Sequence, residues 1–303
     1  HQGQSRSPKQ CHLHNSNRII MSIAASELIL NEDGSIYHLG LLPEEVYPTI
    51  ITVGDPDRVE KVSKYFDRID YKKQKREFVS HGGRIGNKEI TVISTGIGTD
   101  NVDIVINELD ALVNIDMSTR TPKTNPRKLD IMRLGTSGTI RTDIEVDSLV
   151  LSRGAIGLDG LMHFYKREQS PEELEMLTWD IDWPLPPYYY AGTESLLARY
   201  ATRGIEGITV SNTGFYGPQS RRLRLDPASN NLFESLAGRT ISGCPVTNLE
   251  METSGIYGLC HLLGHNCLSI NVIIANRTLG QFSKNPGKAV INMIETILEE
   301  ASN

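Results

Sequence analysis

The sequence predicts an α/β fold, and three observations point to it. Short apolar, β-branched runs at 49–53, 129–134, 207–211 and 268–275 read as buried strands. Segments with apolar residues at helical spacing, 58–66, 102–113, 194–202 and 286–300, alternate with them. With 303 residues, 39% of them hydrophobic and 22% charged, the chain can bury a full core as one large domain or two smaller ones.

Composition also excludes partners. A formal net charge of −6 and a pI near 5.8 argue against nucleic acid, so any bound anion has to be met by local arginines. No apolar stretch approaches the length of a bilayer span, and no membrane partner is expected. Cys11, Cys244, Cys260 and Cys267 lack regular spacing, which suits a reducing, cytoplasmic setting rather than a disulfide framework. Residues 1–30 read as a disordered or adventitious extension with Met21 as a natural start, and 31–303 as a single domain.

Taken in order, the first strand, 49–53, is bounded by Pro48 and Gly54. In Gly54-Asp55-Pro56-Asp57-Arg58-Val59, Asp55 suits an N-cap and Pro56 the first helical position, with Val59, Val62 and Phe66 recurring behind them. A strand, a glycine and a helix start present free N–H groups to an anion; the same residues equally make a capped junction with no ligand. Residues 76–94 predict a meander, with strands at 76–79 and 89–94 and turns at His81-Gly82-Gly83 and Gly86-Asn87. Gly96-Ile97-Gly98-Thr99 lacks a third glycine, Asn101 standing in its place, so no dinucleotide site is expected. Thr99 or Asp100 caps the helix 102–113, and the polar insertion 114–128 reads as a surface loop or an oligomer-contact arm.

The run 129–134 then delivers Arg133 into Gly135-Thr136-Ser137-Gly138. Glycines allow close backbone approach, the hydroxyls donate, and the forked cation suits phosphate; a strand end and an ordinary turn is the alternative. Strands follow at 146–152 and 207–211, with 158–165 extended, a short helix after Pro171, and a helix at 194–202. Residues 213–222 gather Phe215, Gln219, Arg221 and Arg222 in one loop, which suits a planar heterocycle or, more plainly, solvent. Residues 248–255 open a helix that runs through Leu263 and stops at Gly264. Of its two carboxylates, Glu250 and Glu252, one aimed into a cleft could accept both hydroxyls of a ribose, although a first-turn glutamate also favours the helix dipole. Cys260, His261, His265 and Cys267 match no zinc spacing, because Gly264 breaks the helix between the histidines. The strand 268–275 and a terminal helix with Val290, Ile294, Ile297 and Leu298 turned inward complete the chain.

These motifs, together with Tyr37-His38-Leu39-Gly40-Leu41, Arg76-Glu77-Phe78 and Asn276-Arg277-Thr278, resemble the uridine phosphorylase branch of the nucleoside phosphorylase-I family across 37–300. The resemblance implies a mixed central β-sheet that forms a distorted barrel flanked by helices. It implies a phosphate site of Gly54, Arg58, Arg133 and Thr136, joined by Arg76 from a neighbouring subunit. It places Met251 and Glu252 at a ribose, with His38 reaching in from the neighbour, and puts Phe215, Gln219, Arg221, Ile274, Ala275 and, through water, Arg277 around a uracil. Arg133, Gln219, Arg221 and Glu252 would carry the catalysis, with inorganic phosphate as co-substrate and neither metal nor organic cofactor. A monovalent cation binds between subunits in some relatives at a serine that is Asn101 here. The implied assembly is a homo-oligomer, at least a dimer, with a hexamer open. Residues 274–277 carry no carboxylate of the kind that purine-cleaving relatives use, which favours a pyrimidine. The rivals are a purine nucleoside phosphorylase, a nucleosidase that uses water, and a non-catalytic nucleoside-binding protein of the same fold.

Overall fold

A computed structural model describes residues 22–229 and 231–302, so the expected extension up to residue 21 lies outside the described residues. In chain order its elements begin with β1 (Thr49–Val53), α1 (Asp57–Ser63), β2 (Arg68–Lys75), β3 (Phe78–Ile85), β4 (Lys88–Ser94) and α2 (Thr99–Asn114). They continue with β5 (Ile115–Asp116), β6 (Thr121–Pro122), β7 (Asp130–Thr139), β8 (Leu149–Leu158), α3 (Pro171–Met176), β9 (Tyr188–Ala191), α4 (Glu194–Tyr200) and β10 (Ile205–Asn212). The last are α5 (Leu232–Ala237), β11 (Thr240–Ile241), β12 (Cys244–Glu250), α6 (Thr253–Leu263), β13 (Asn266–Asn276), β14 (Gln281–Phe282) and α7 (Pro286–Ser302). No helix among the described residues is long and apolar enough to cross a membrane.

All strands but β5 and β6 join one mixed sheet, whose main path runs β11-β12-β10-β8-β13-β7-β1-β4-β3-β2. Asn248 and Leu249 of β12 also pair antiparallel with Thr139 and Gly138 of β7. That contact closes β7, β13, β8, β10 and β12 into a five-stranded barrel, the closed architecture that the resemblance implied. Helix α2 buries Val102, Val105, Ile106, Leu109, Leu112 and Val113 against one side of the sheet, together with α6. Helix α7 covers the other side with Val290, Met293, Ile294, Ile297 and Leu298, packed with Val59 and Val62 of α1 and Leu196 and Leu197 of α4. These are the apolar stripes that helical periodicity marked. Gly264, at φ +82, ends α6 as expected, its N–H bonded to the Cys260 carbonyl.

Several local expectations change. His81-Gly82-Gly83 is not a turn but the middle of β3. A β-carbon on Gly82 would lie 2.0 Å from the Tyr71 ring and one on Gly83 2.6 Å from the Phe66 ring, so these glycines make room for packing. The turn is at Arg76, φ 54, because β2, unmarked in the sequence, pairs with β3 on its outer side. Strand β8 starts at Leu149 and runs to Leu158, and 161–164 form a 3-10 turn rather than extended chain. Residues 248–250 belong to β12, and the helix begins only at Thr253. Helix α1 starts at Asp57, two residues past Asp55, whose carboxylate accepts the Asp57 N–H at 3.0 Å. Within the insertion 114–128, β5 and β6 form a short hairpin, and Arg120 donates to the carbonyls of Ile23 and Leu28. Residues 22–30 are thereby docked, with Leu28 buried and Leu30 bridged to Ile36.

Candidate active site

Strands β1, β4, β7 and β13 are mutually parallel neighbours, and so are β10 and β12. Their carboxyl-terminal ends open on a cavity of about 740 Å³, the place where α/β sheets characteristically bind ligands. Gly54, Arg58, Arg133, Thr136, Phe215, Gln219, Arg221, Met251, Glu252, Ile274 and Ala275 all line it, drawn from segments far apart in the chain.

Arg133 is 5% exposed and held on two sides. Its Nη1 donates to Asn271 Oδ1 and its Nη2 to Glu252 Oε2, both at 2.6 Å, with Glu250 Oε2 at 3.2 Å from Nη2. The guanidinium folds back over Gly135, where a β-carbon would sit 1.9 Å from Nη1, so only glycine fits two residues along the strand. Burial by itself would lower the Arg133 pKa, but Glu250 and Glu252 outweigh it and hold the cation firmly charged. Arg58, 9% exposed, donates from Nη1 to the Leu134 carbonyl at 3.2 Å, and its buried Nε has no protein partner. Its pKa is lowered, first by burial and then by Arg133; Asp55 and Glu252 only partly offset this. Two buried cations face one cavity, and Arg58, with its Nε unpaired, is the one whose charge the protein compensates less.

The two carboxylates divide their work. Glu250 Oε2 accepts the N–H of Glu252 at 3.0 Å and the N–H and hydroxyl of Thr253, each at 2.9 Å, and so caps α6 from the end of β12. Glu252 Oε1 accepts the Gly98 N–H at 2.9 Å while Oε2 takes Arg133, which aims the carboxylate along the cavity wall. Burial pushes its pKa up, Arg133 draws it down, Glu250 pushes it up again, and the balance is upward.

The loop after β10 folds on itself. Arg221 lies with Cζ 3.7 Å from the Phe215 ring centroid, donating to the Phe215 carbonyl at 2.8 Å and to Gln219 Oε1 at 2.6 Å. Gln219 is 2% exposed, its Nε2 on the Gly214 carbonyl at 3.2 Å. Burial, reinforced by Arg277, lowers the Arg221 pKa to about 10. An amide, a guanidinium and an aromatic face therefore share one wall.

Three expected residues do not line this cavity. Arg277 stands behind the loop and donates to the Gln219 carbonyl at 3.0 Å. Arg76 is exposed at the β2–β3 turn. His38 sits against α2, its Nδ1 2.6 Å from Glu108 Oε1, and the same carboxylate receives the N–H groups of His38 and Leu39. Sequence reasoning missed Asn271, whose only signal is one amide in an apolar strand, and the capping role of Glu250.

The sequence pattern of the Phosphorylase superfamily matches residues 48–300. Uridine phosphorylase of Thermococcus kodakarensis is 30% identical over 271 residues, 88% of this chain and 86% of its own. Uridine phosphorylase of Escherichia coli is 28% identical over 249 residues, 80% of this chain and 87% of its own. A solved Trypanosoma brucei nucleoside phosphorylase, described as showing uridine phosphorylase activity, superposes with a TM-score of 0.83 at 28% identity, over 90% of this chain and 99% of that one. The matched pattern contains every segment that lines the cavity, with a relative at this identity over most of both lengths, and the chain belongs to the phosphorylase superfamily.

Proposed function

We propose that the chain is a pentosyltransferase that cleaves uridine with inorganic phosphate to give uracil and ribose 1-phosphate. The observation that carries this is the meeting, in one cavity, of the buried cations Arg58 and Arg133 with the Glu252 acceptor and the Gln219–Arg221 loop. The relatives named uridine phosphorylase support the choice of nucleoside.

Phosphate binds among Arg58, Arg133, Thr136 and the Gly54 backbone. Glu252 and Met251 receive the ribose, and Phe215, Ile274 and Ala275 flank the base. A phosphate oxygen attacks C1′ while the C1′–N1 bond breaks and its electron pair leaves with the uracil; the phosphate gives up its proton, and N1 of the released uracil takes one up from water. The phosphate charge stabilises the sugar cation that develops, and Gln219 and Arg221 turn their N–H groups from loop carbonyls to the uracil as it gains negative charge. No metal or organic cofactor is required by this scheme. Ile274-Ala275-Asn276-Arg277 offers no carboxylate to protonate a purine, and the Asn276 amide is spent on the Arg141 and Ile144 carbonyls.

The exposed apolar side chains Ile97 and Phe282 at the cavity mouth support coverage by a second copy, with the partner supplying His38 and Arg76. The deciding experiment is uracil release from uridine with and without phosphate. Release that requires phosphate is expected; equal release in its absence would make the protein a nucleosidase, and inosine cleaved at least as efficiently as uridine would make it a purine enzyme. For the shared site, inactive Arg76→Ala and Arg133→Ala proteins should regain activity when their subunits are exchanged. Confirmed exchange without recovery would place the whole site in one chain.

A further inference from the structure

We infer that the polar interior of the barrel is a positioning device for the anion site, with Asn271 as the positioning residue that fixes the Arg133 guanidinium; this rests on the phosphate site proposed above. Small barrels are ordinarily filled by side chains that pack apolar surface. Here a line of side-chain hydrogen bonds crosses the interior and takes at least one residue from each of the five barrel strands.

The line begins at Arg133 on β7, which donates to Asn271 Oδ1 on β13 at 2.6 Å. Asn271 is fully buried, and its Nδ2 lies 3.2 Å from Ser152 Oγ on β8. Ser152 Oγ is 2.6 Å from Thr209 Oγ1 on β10, which donates to Asn248 Oδ1 on β12 at 3.0 Å. Asn248 Nδ2 then donates to Ser137 Oγ, back on β7, at 2.9 Å. Both ends of the line, Arg133 and Ser137, line the cavity.

The direction at Asn271 is fixed by arginine having donors only, and the direction at Thr209 by its donation to Asn248 Oδ1. Arg133 therefore forces Oδ1 of Asn271 toward itself and Nδ2 toward Ser152. Ser152, receiving that N–H, donates its own hydrogen to Thr209, because the Thr209 hydroxyl is already given to Asn248. Asn248 then offers N–H to Ser137, which accepts and keeps its O–H to donate into the cavity. All donors point the same way round, and the groups at both ends, the Arg133 guanidinium and the Ser137 hydroxyl, line the same cavity. Such aligned bonds reinforce one another, and Asn271 Nδ2 is held from a second side by Ser269 Oγ, also at 3.2 Å.

The test measures phosphate binding directly, by calorimetric titration of the full chain without nucleoside, alongside separate KM values for phosphate and uridine. Asn271→Leu removes the acceptor from Arg133 and should weaken phosphate about tenfold or more, with the uridine KM changed less than about twofold. Ser152→Ala, which touches neither Arg133 nor the cavity, should weaken phosphate in the same sense, by roughly threefold, and Ser152→Thr should restore it. Folded Asn271→Leu with unchanged phosphate affinity, or with both KM values raised equally, would overturn the inference. Should Asn271→Leu fail to fold, Ser152→Ala decides: parental phosphate affinity in that variant overturns it as well. Phosphate binding by the parent with no uridine cleavage would refute the proposed reaction and leave the positioning role standing. A parent that binds no phosphate removes the anion site and the inference together.

Discussion

Gly135→Ala is a one-carbon probe of how the anion site is held. The new β-carbon falls 1.9 Å from Arg133 Nη1, 2.3 Å from Cζ and 2.6 Å from Nη2, distances that no small relaxation removes. The guanidinium is tied in that position by Asn271, Glu252 and Glu250. It has to swing out and give up Asn271 and Glu252, leaving a buried carboxylate without its cation. Breaking a buried pair in this way costs about 3–5 kcal/mol. At roughly 2 °C per kcal/mol for a chain of this size, the melting midpoint should fall by roughly 6–10 °C. Gly238→Ala, outside the cavity, is the internal control, since a β-carbon there meets nothing within 4 Å. The assay is a thermal melt of both variants with and without phosphate. Gly135→Ala that melts within about 2 °C of Gly238→Ala, with the same phosphate-induced shift, would refute the account of Arg133 folded over its own strand.

Arg58→Met should abolish the stabilisation that phosphate gives while leaving the phosphate-free melting midpoint unchanged or higher, because it removes a buried charge repelled by Arg133; a clear loss of phosphate-free stability would show that Arg58 is already compensated. Gln219→Ala should lower kcat/KM for uridine by roughly 10²–10³, the cost of losing one donor to a developing anion, with little change in any activity on inosine; a loss below about fivefold would take Gln219 out of the base site. Burial, and then Lys72, lower the pKa of His81, which sits 2.7 Å from Ser63 Oγ. The unfolded chain therefore binds the proton first, so stability is present above about pH 6.5 and is lost as pH falls below it. Melting midpoints from pH 8 to 5 should show this acid loss, reduced in His81→Gln; an identical pH dependence in the variant would assign the loss to other groups.

Much of the architecture is written locally. The strands β1, β7, β10 and β13 and the helices α2 and α7 announce themselves because one element buries one face, and the spacing of apolar residues records that face directly. The chemistry of the cavity is legible for a similar reason. Arg133 among glycines and hydroxyls, and Gln219 and Arg221 beside Phe215, are contiguous in the chain, so their types suggest the anion and planar base proposed above, and the structure brings both segments to one cavity. Tertiary structure alone decided the rest. Strand β2 has polar residues on both faces and exists because β3 pairs with it. Residues 248–250 read as helix until barrel closure sets Asn248 and Leu249 between β7 and β10. Glu250 and Glu252 are indistinguishable on paper; both line the cavity and pair with Arg133, but Glu250 also caps the helix because it meets the N–H groups of Glu252 and Thr253, whereas Glu252 meets Gly98. Asn271 takes its meaning from Arg133, 138 residues away, and local periodicity carries no record of a partner that distant.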